Sequence, residues 1–311
     1  TEDQTSGGDA TIETAPTRSG FVALIGAPNA GKSTLVNQLV GTKVSIVTHK
    51  VQTTRALVRG IAIRNRTQIV FVDTPGVFQP RRRLDRAMVR TAWGGAKDAD
   101  LVLAIVDAER GVSPDVETIV ERLKDSRRPV VLLLNKVDRI KREKLLALTQ
   151  DLSSRVAFER VFMISALTGS GCDDLMNWLA DRLPEGPWYY PEDQISDLPL
   201  RQLAAEITRE KLFLRLHQEI PYASTVETEL WEQRPDGSVR IEQTIYVERD
   251  SQKAIVLGRK GETIKAIGQA ARTEIAEAAD QKIHLFLFVK VREHWSDDPE
   301  RYREMGLDFS S

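Results

Sequence analysis

From Gly20 onward the chain alternates short apolar runs with longer amphipathic stretches. The runs are 21–25 (FVALI), 69–73 (IVFVD), 101–107 (LVLAIVD), 130–134 (VVLLL) and 161–164 (VFMI). They are rich in Val, Ile and Leu with little polar alternation, the pattern of parallel strands covered by helices on both faces. Within 55–73, two strand-like runs flank Asn65-Arg66. That predicts a hairpin, and so one antiparallel strand on a mostly parallel sheet. The expectation is an α/β domain over 19–183.

The pattern changes after Leu183. Residues 184–199 (PEGPWYYPEDQISDLP) are rich in Pro, Gly and aromatics and read as an interdomain linker, with Trp188, Tyr189 and Tyr190 packing at the junction. Over 200–311 the pattern predicts a smaller α+β domain with a C-terminal extension. It comprises a helix (about 199–217), two long strands around Pro235-Asp236-Gly237, a glycine-containing helical pair at 251–279 and a strand at 282–291. No internal repeat is evident. Residues 1–18 are acidic and rich in Thr, Ser and Gly, which predicts a disordered tail.

The length of 311 residues supports two domains, each able to bury its own core. Lys and Arg number 44 against 45 Asp and Glu, a net charge of −1, so any nucleic-acid site must be a local patch. The single cysteine, Cys172, excludes an intrachain disulfide framework and fits a reducing compartment. Apolar runs of about six residues fall far short of the roughly 20 that span a bilayer. The first 18 residues lack the apolar core of a secretory signal. A cytoplasmic protein is expected. His49, His217, His284 and His294 show no metal-ligand spacing.

Candidate chemistry begins at 26–34, GAPNAGKST, between the first strand and a helix-like run. Gly26-x4-Gly31-Lys32-Ser33 is a phosphate-binding loop. Gly26, Ala27, Pro28, Asn29, Ala30, Gly31 and Thr34 are expected around the phosphates, all but Pro28 offering a backbone N–H, and the helix N-terminus adds a favourable dipole. Lys32 reaches the β/γ-phosphates and the Ser33 hydroxyl ligates Mg2+. Asp73-Thr74-Pro75-Gly76 ends a strand, where the carboxylate can hold the Mg2+ shell and the Gly76 N–H can meet the γ-phosphate. Asn135-Lys136-Val137-Asp138 ends another. Asp138 can accept N1–H and the exocyclic amine of guanine, a donor pair that adenine lacks. Asn135 would tie this loop to the phosphate loop, and the Lys136 stem would lie along the purine. Ser165-Ala166-Leu167 follows the 161–164 strand and offers a backbone N–H to guanine O6. All four loops follow strand C-termini, where open α/β sheets bind ligands.

The ordered set resembles the translation-factor branch of P-loop NTPases over 20–183, which implies a GTPase G domain with GTP, GDP and Mg2+ as ligands. In that family a switch I threonine closes on Mg2+. The match here is Gln52-Thr53-Thr54-Arg55, with Thr54 as the ligand and Thr53 as the alternative. Switch II begins at Asp73 and runs to about Arg90 through Arg81-Arg82-Arg83, a solvated basic face. Lys32, Thr54, Asp73 and Gly76 are the expected catalytic set. Val77 stands where Ras-like enzymes carry the glutamine that orients water, so slow intrinsic hydrolysis is expected, stimulated by K+ or RNA. By the same resemblance Asn29 would hold a K+ ion beside the phosphates.

The second half contains SQKAIVLGRKGETIKAIG at 251–268. Gly258 and Gly261 let a turn approach a sugar–phosphate backbone, and Arg259 and Lys260 neutralise it. Lys253 and Lys265 add to a local excess of positive charge. With Ile255, Val256, Leu257, Ile264 and Ile267 expected in the core, the order α-β-β-α-α-β resembles a type II KH domain, which takes roughly four unpaired nucleotides.

A G domain followed by such a KH domain resembles the Era family of bacterial GTPases over residues 20–307. The resemblance implies binding near the 3′ end of 16S ribosomal RNA, a role in 30S subunit assembly and rRNA maturation, and a monomer. It also implies peripheral inner-membrane association and a link to cell-cycle control. Ala27 departs from the arginine common in that family, as does the acidic tail. A membrane-associated signalling GTPase whose KH-like half binds protein is the competing reading. A tRNA-modifying GTPase is disfavoured, because no second catalytic constellation is present.

Overall fold

The computed structural model describes residues 16–50, 53–217 and 220–309. Gln52 of the expected switch I motif and residues 1–15 of the expected tail lie outside the described residues.

The first domain contains β1 (Arg18–Gly26), α1 (Lys32–Val40), β2 (Val58–Arg64), β3 (Thr67–Asp73), α2 (Arg83–Asp98), β4 (Leu101–Asp107), α3 (Pro114–Leu123), β5 (Val130–Asn135), α4 (Arg142–Arg155), β6 (Arg160–Met163) and α5 (Cys172–Arg182). The sheet order is β2-β3-β1-β4-β5-β6. β2 pairs antiparallel with β3, and the other pairings are parallel. Strands β3 and β4 are buried at every position, as their unbroken apolar runs require. One face packs α1 and α5 through Leu35, Val36, Leu39, Leu175 and Leu179. The other packs α2, α3 and α4 through Ala92, Ala96, Val116, Ile119, Leu145 and Leu152. β1 lies between β3 and β4, so loops from four strand ends converge at one crevice.

Two expectations change at the edges of this domain. β1 starts at Arg18 rather than Phe21, so Thr17 and Arg18 belong to the folded domain and not to a disordered tail. Arg18 Nη1 donates to Leu183 O at 2.7 Å and Thr17 O accepts from Gly186 N. The 184–199 linker is bonded to this domain at both ends of its length. Ser19 N donates to Pro184 O, Ile61 N to Ile195 O and Asp197 N to Arg59 O. Gln68 is held by the Tyr189 and Tyr190 N–H groups at 2.8 and 3.0 Å. The Tyr189 ring sits 4.9 Å from that of Phe21.

The second domain contains α6 (Leu200–Arg215), β7 (Ser224–Gln233), β8 (Val239–Val247), α7 (Asp250–Leu257), α8 (Glu262–Ala279), β9 (Ile283–Val291) and α9 (Pro299–Glu304). The sheet is β7-β8-β9, with β7 antiparallel and β9 parallel to β8. A parallel pair needs a long crossover, and α7 and α8 supply it. Leu212, Phe213, Val256, Ile267 and Val289 form one part of its core, and Ile207, Ile241, Ala271 and Ile283 another. Ile255 is a correction: it is 49% exposed. Residues 255–257 are consecutive on a helix, so they point about 100° apart and cannot all face one core.

The segment after β9 returns to the first domain. Trp295, Tyr302 and Leu307 bury themselves against Leu84, Ala87 and Met88 of α2. The arginine triplet is therefore only partly a solvated face: Arg81 and Arg82 are exposed, but the Arg83 guanidinium lies 4.5 Å from the Phe309 ring centroid. No described helix is long and apolar enough to cross a membrane.

Candidate nucleotide and RNA sites

The phosphate loop joins β1 to α1. Gly31 has φ 102°, and a Cβ there would run into the Asn135 amide; both demands select glycine. Lys32 is buried, and Nζ donates to the Gly26 and Ala27 carbonyls at 3.0 and 3.1 Å. Burial pulls its pKa down to about 8, opposed by the nearby Asp73 carboxylate. A polyphosphate in the loop would supply the missing counter-charge.

Four oxygen side chains meet beside the loop. Ser33 Oγ donates to Asp73 Oδ2 at 2.6 Å and lies 2.9 Å from Thr54 Oγ1; Thr54 Oγ1 is 3.5 Å from Asp73 Oδ2. Ser45 Oγ donates to the same carboxylate oxygen at 2.7 Å. Asp73 is fully buried, and its Oδ1 has no partner among the described residues. Burial raises its pKa, while the Ser33 and Ser45 hydroxyls, the Lys32 charge and Thr54 oppose the shift. An orphaned carboxylate oxygen beside two hydroxyls is a hard-oxygen set that fits a cation such as Mg2+. Thr53 points elsewhere, with Oγ1 donating to Lys50 O at 2.7 Å.

The base-recognition loops are joined by Asn135, 1% exposed. Nδ2 donates to Ala30 O at 2.8 Å and Oδ1 accepts Ala166 N–H at 2.9 Å. Residues 165–167 were expected to offer a backbone N–H to guanine O6, and those of Ser165 and Ala166 are bonded to Ser170 O and Asn135 Oδ1. Lys136, at φ 66°, bonds Asn29 O at 2.9 Å and Asp107 Oδ2 at 2.6 Å. Asp138 is drawn below the usual carboxylate range, first by the Ser165 hydroxyl, so it presents a charged acceptor at neutral pH.

These loops enclose a cleft of about 370 Å³, lined by Pro28, Asn29, Gly31, Lys32, Ser33, Thr34, Thr53, Thr54, Gly76, Asn135, Lys136, Asp138, Ser165, Ala166 and Leu167. Gly26, Ala27, Ala30, Asp73 and Pro75 are not among its lining residues. Thr74 is fully buried and its hydroxyl donates to Leu24 O at 2.5 Å, bracing β3 on β1, so its side chain faces the core. Val77 is 1% exposed, with its N–H on Gly26 O. Ser45 and Asp107 were not singled out by the sequence. An aspartate closing the apolar run 101–107 is the signal that could have found Asp107.

In the second domain, Gly258 (φ 74°, ψ 174°) and Gly261 (φ 79°) turn the chain between α7 and α8. Arg259, Lys260 and Lys265 are exposed and Lys253 half-buried. The exposed Ile255 adds an apolar surface to this basic corner.

Residues 21–136 match the family model described as a 50S ribosome-binding GTPase, and residues 219–296 match a KH domain. GTPase Era of Mesorhizobium japonicum is 75% identical over 299 residues, 96% of each chain. GTPase Era of Brucella suis is 73% identical over 297 residues, again 96% of each. The chain belongs to the Era family of GTPases. A crystal structure of Era in complex with MgGDPNP and nucleotides 1506–1542 of 16S ribosomal RNA superposes with a TM-score of 0.88 at 38% identity, covering 93% of this chain and 99% of that one. An Aquifex aeolicus Era variant bound to GDP and AlF4− matches with the same TM-score and identity. As an Era-family member the protein is a GTP-hydrolysing enzyme built from a G domain and a KH domain.

Proposed function

We propose that this Era GTPase binds single-stranded RNA near the 3′ end of 16S rRNA and acts in 30S subunit assembly and rRNA maturation. The supporting observation is the near-complete match to a relative that holds MgGDPNP and a 16S rRNA segment together. The basic corner at 253–265 is consistent with it, on a chain whose net charge is only −1. We assign residues 17–183 to the G domain, 184–199 to the connecting strap and 200–311 to the KH domain with its C-terminal extension. Peripheral inner-membrane contact and a link to cell-cycle control belong to this reading by family resemblance.

In the nucleotide site, Ser33 and Thr54 are the proposed Mg2+ ligands, with Asp73 holding the ion's shell. Thr54 is preferred over Thr53 because its hydroxyl meets Ser33 and Asp73. The ion would neutralise charge between the β- and γ-phosphates. Lys32 and the Gly76 N–H would bind the γ-phosphate, and Asp138 would select guanine. Valine at 77 can neither orient nor deprotonate water, so hydrolysis relies on charge compensation from elsewhere. Asn29 donates Nδ2 to His49 O at 2.9 Å, leaving its amide oxygen available for K+. Higher turnover in K+ than in matched Na+ supports this assignment; equal rates remove it.

Crosslinking followed by RNA sequencing tests the RNA reading. Recovery of 16S 3′-end sequence, lost in an Arg259→Ala/Lys260→Ala variant, is the expected result. Unchanged RNA recovery in that variant, together with co-sedimentation on anionic liposomes, would favour the membrane-signalling alternative.

A further inference from the structure

Thr54 and Arg55 are consecutive in switch I, yet their side chains serve different domains. Thr54 Oγ1 sits on Ser33 and Asp73. Arg55 is 4% exposed and buried in the KH domain. Its Nη1 donates to Ser224 O at 2.9 Å, and its Nη2 to Pro221 O and Tyr222 O at 3.3 and 3.5 Å. The guanidinium carbon lies 5.8 Å from the Phe213 ring centroid and 5.5 Å from that of Trp295. Three carbonyls and two ring faces form a cradle for a planar cation, and five fixed donors suit it better than a flexible ammonium.

A guanidinium held this way is either seated or returned to water, because leaving a buried cation half-paired costs several kcal/mol. Four further links join the same loop to the KH domain. Arg209 Nη2 donates to Thr53 O, and Lys50 Nζ to Phe213 O and Leu216 O. Val47 N donates to Glu210 Oε1 at 2.7 Å, and Lys43 bridges Glu210 and Glu274 of α8. Trp295 completes the arrangement. Its Nε1 donates to Ala223 O, inside the cradle's own turn, and its ring packs with Leu84 and Met88 of switch II.

We propose that Arg55 is a positioning residue for GTP hydrolysis, seated in the KH domain so that docking of that domain holds Thr54 at the Mg2+ position. The site is then completed across the domain boundary, and RNA that moves the KH domain moves Thr54. The second consequence rests on the RNA-binding reading above; the first does not. By linkage, the factor by which bound GTP alters RNA affinity equals the factor by which RNA alters GTP affinity.

The test uses the full chain with Arg55→Ala, Arg55→Lys and Phe213→Leu. A misplacement on the ångström scale can cost up to about 100-fold in turnover. Arg55→Ala should therefore lower kcat at least about tenfold with KM for GTP within about threefold, the signature of a lost transition-state contact. The Mg2+ concentration giving half-maximal rate should rise. Arg55→Lys should recover part of the rate. Phe213→Leu, remote from the nucleotide cleft, should show the same split more weakly. Unchanged kcat and Mg2+ dependence in both Arg55→Ala and Phe213→Leu, with only a lower Tm, would overturn the proposal and leave a plain interdomain contact. Should Arg55→Ala not fold, wild-type kcat in Phe213→Leu alone overturns it. Binding of a 16S 3′-end oligonucleotide in the presence of GDP or a non-hydrolysable GTP analogue separates the two readings. If the wild type does not bind it, the RNA assignment fails and the kinetic test still stands. If it does, the GTP/GDP affinity ratio should fall towards one in Arg55→Ala.

Discussion

Asn135 is bonded to Ala30 across 105 residues of sequence, Nδ2 to carbonyl at 2.8 Å, and this bond joins the guanine-selecting loop to the phosphate loop. The same amide accepts from Ala166. Asn135→Ala removes both partners in a buried site, where each unsatisfied group costs about 1–3 kcal/mol. We expect a lower Tm in the nucleotide-free protein and GDP affinity reduced by at least about tenfold, measured by thermal melting and by titration with a fluorescent guanine nucleotide.

Asp138→Asn tests base selection. An ionised carboxylate only accepts hydrogen bonds, whereas an amide both donates and accepts. Guanine presents two donors to this side chain; xanthine presents a donor and a carbonyl. GTP affinity should fall by about 100-fold or more, the scale set by leaving polar groups unpaired. Xanthosine triphosphate affinity should rise. Competition binding with the two nucleotides reads the switch directly.

The two glycines of the KH corner should respond differently. At Gly258 a Cβ would lie 2.7 Å from Thr263 Cβ and 2.8 Å from Thr263 N, in a backbone region open essentially to glycine alone. Gly261 is left-handed, but a Cβ there meets nothing within 4 Å. Gly258→Ala should lose RNA binding and destabilise the KH domain by about 2 kcal/mol or more, given about 1–3 for such strain alone. Gly261→Asn should retain near-wild-type melting, because asparagine tolerates this conformation.

Cys172 gives a pH-dependent readout. It is 6% exposed, and burial and Asp173 push its thiol pKa up to about 11. The folded state favours the neutral thiol, so this contribution to stability is complete below about pH 9 and is lost between about 9 and 11. Because the thiolate is the reactive species, labelling by a thiol reagent at pH 8 should be slow in the native protein and fast in denaturant. Rapid native labelling at pH 8 would contradict this burial.

The nucleotide site was largely legible in the sequence because its chemistry depends on residue type. Gly31 must lack a Cβ, Lys32 must carry charge and Asp138 must accept two hydrogen bonds. Each constraint leaves a letter at a fixed distance from a strand end. The cradle around Arg55 was not legible, because its acceptors are the backbone carbonyls of Pro221, Tyr222 and Ser224, and any residue can supply a carbonyl. Ile255 was misplaced for a related reason. A run of apolar letters at 255–257 records hydrophobicity but not which 100° step faces the core. The Pro, Gly and aromatic content of 184–199 marks an interdomain linker, but its backbone pairing depends on the edge of β2, which no letter in the segment records.

That pairing also limits how the KH domain can move. The last strap bonds are Asp197 N to Arg59 O and the Arg59–Asp197 ion pair at 2.6 Å, and α6 begins at Leu200. Only Leu198 and Pro199 remain between a segment fixed to β2 and a rigid rod, and proline fixes one of their torsions. The KH domain therefore has a pivot and no slack. While those bonds hold, a rearrangement that unseats Arg55 turns the domain about those two residues, so a small turn at the nucleotide becomes a long arc at the GxxG corner.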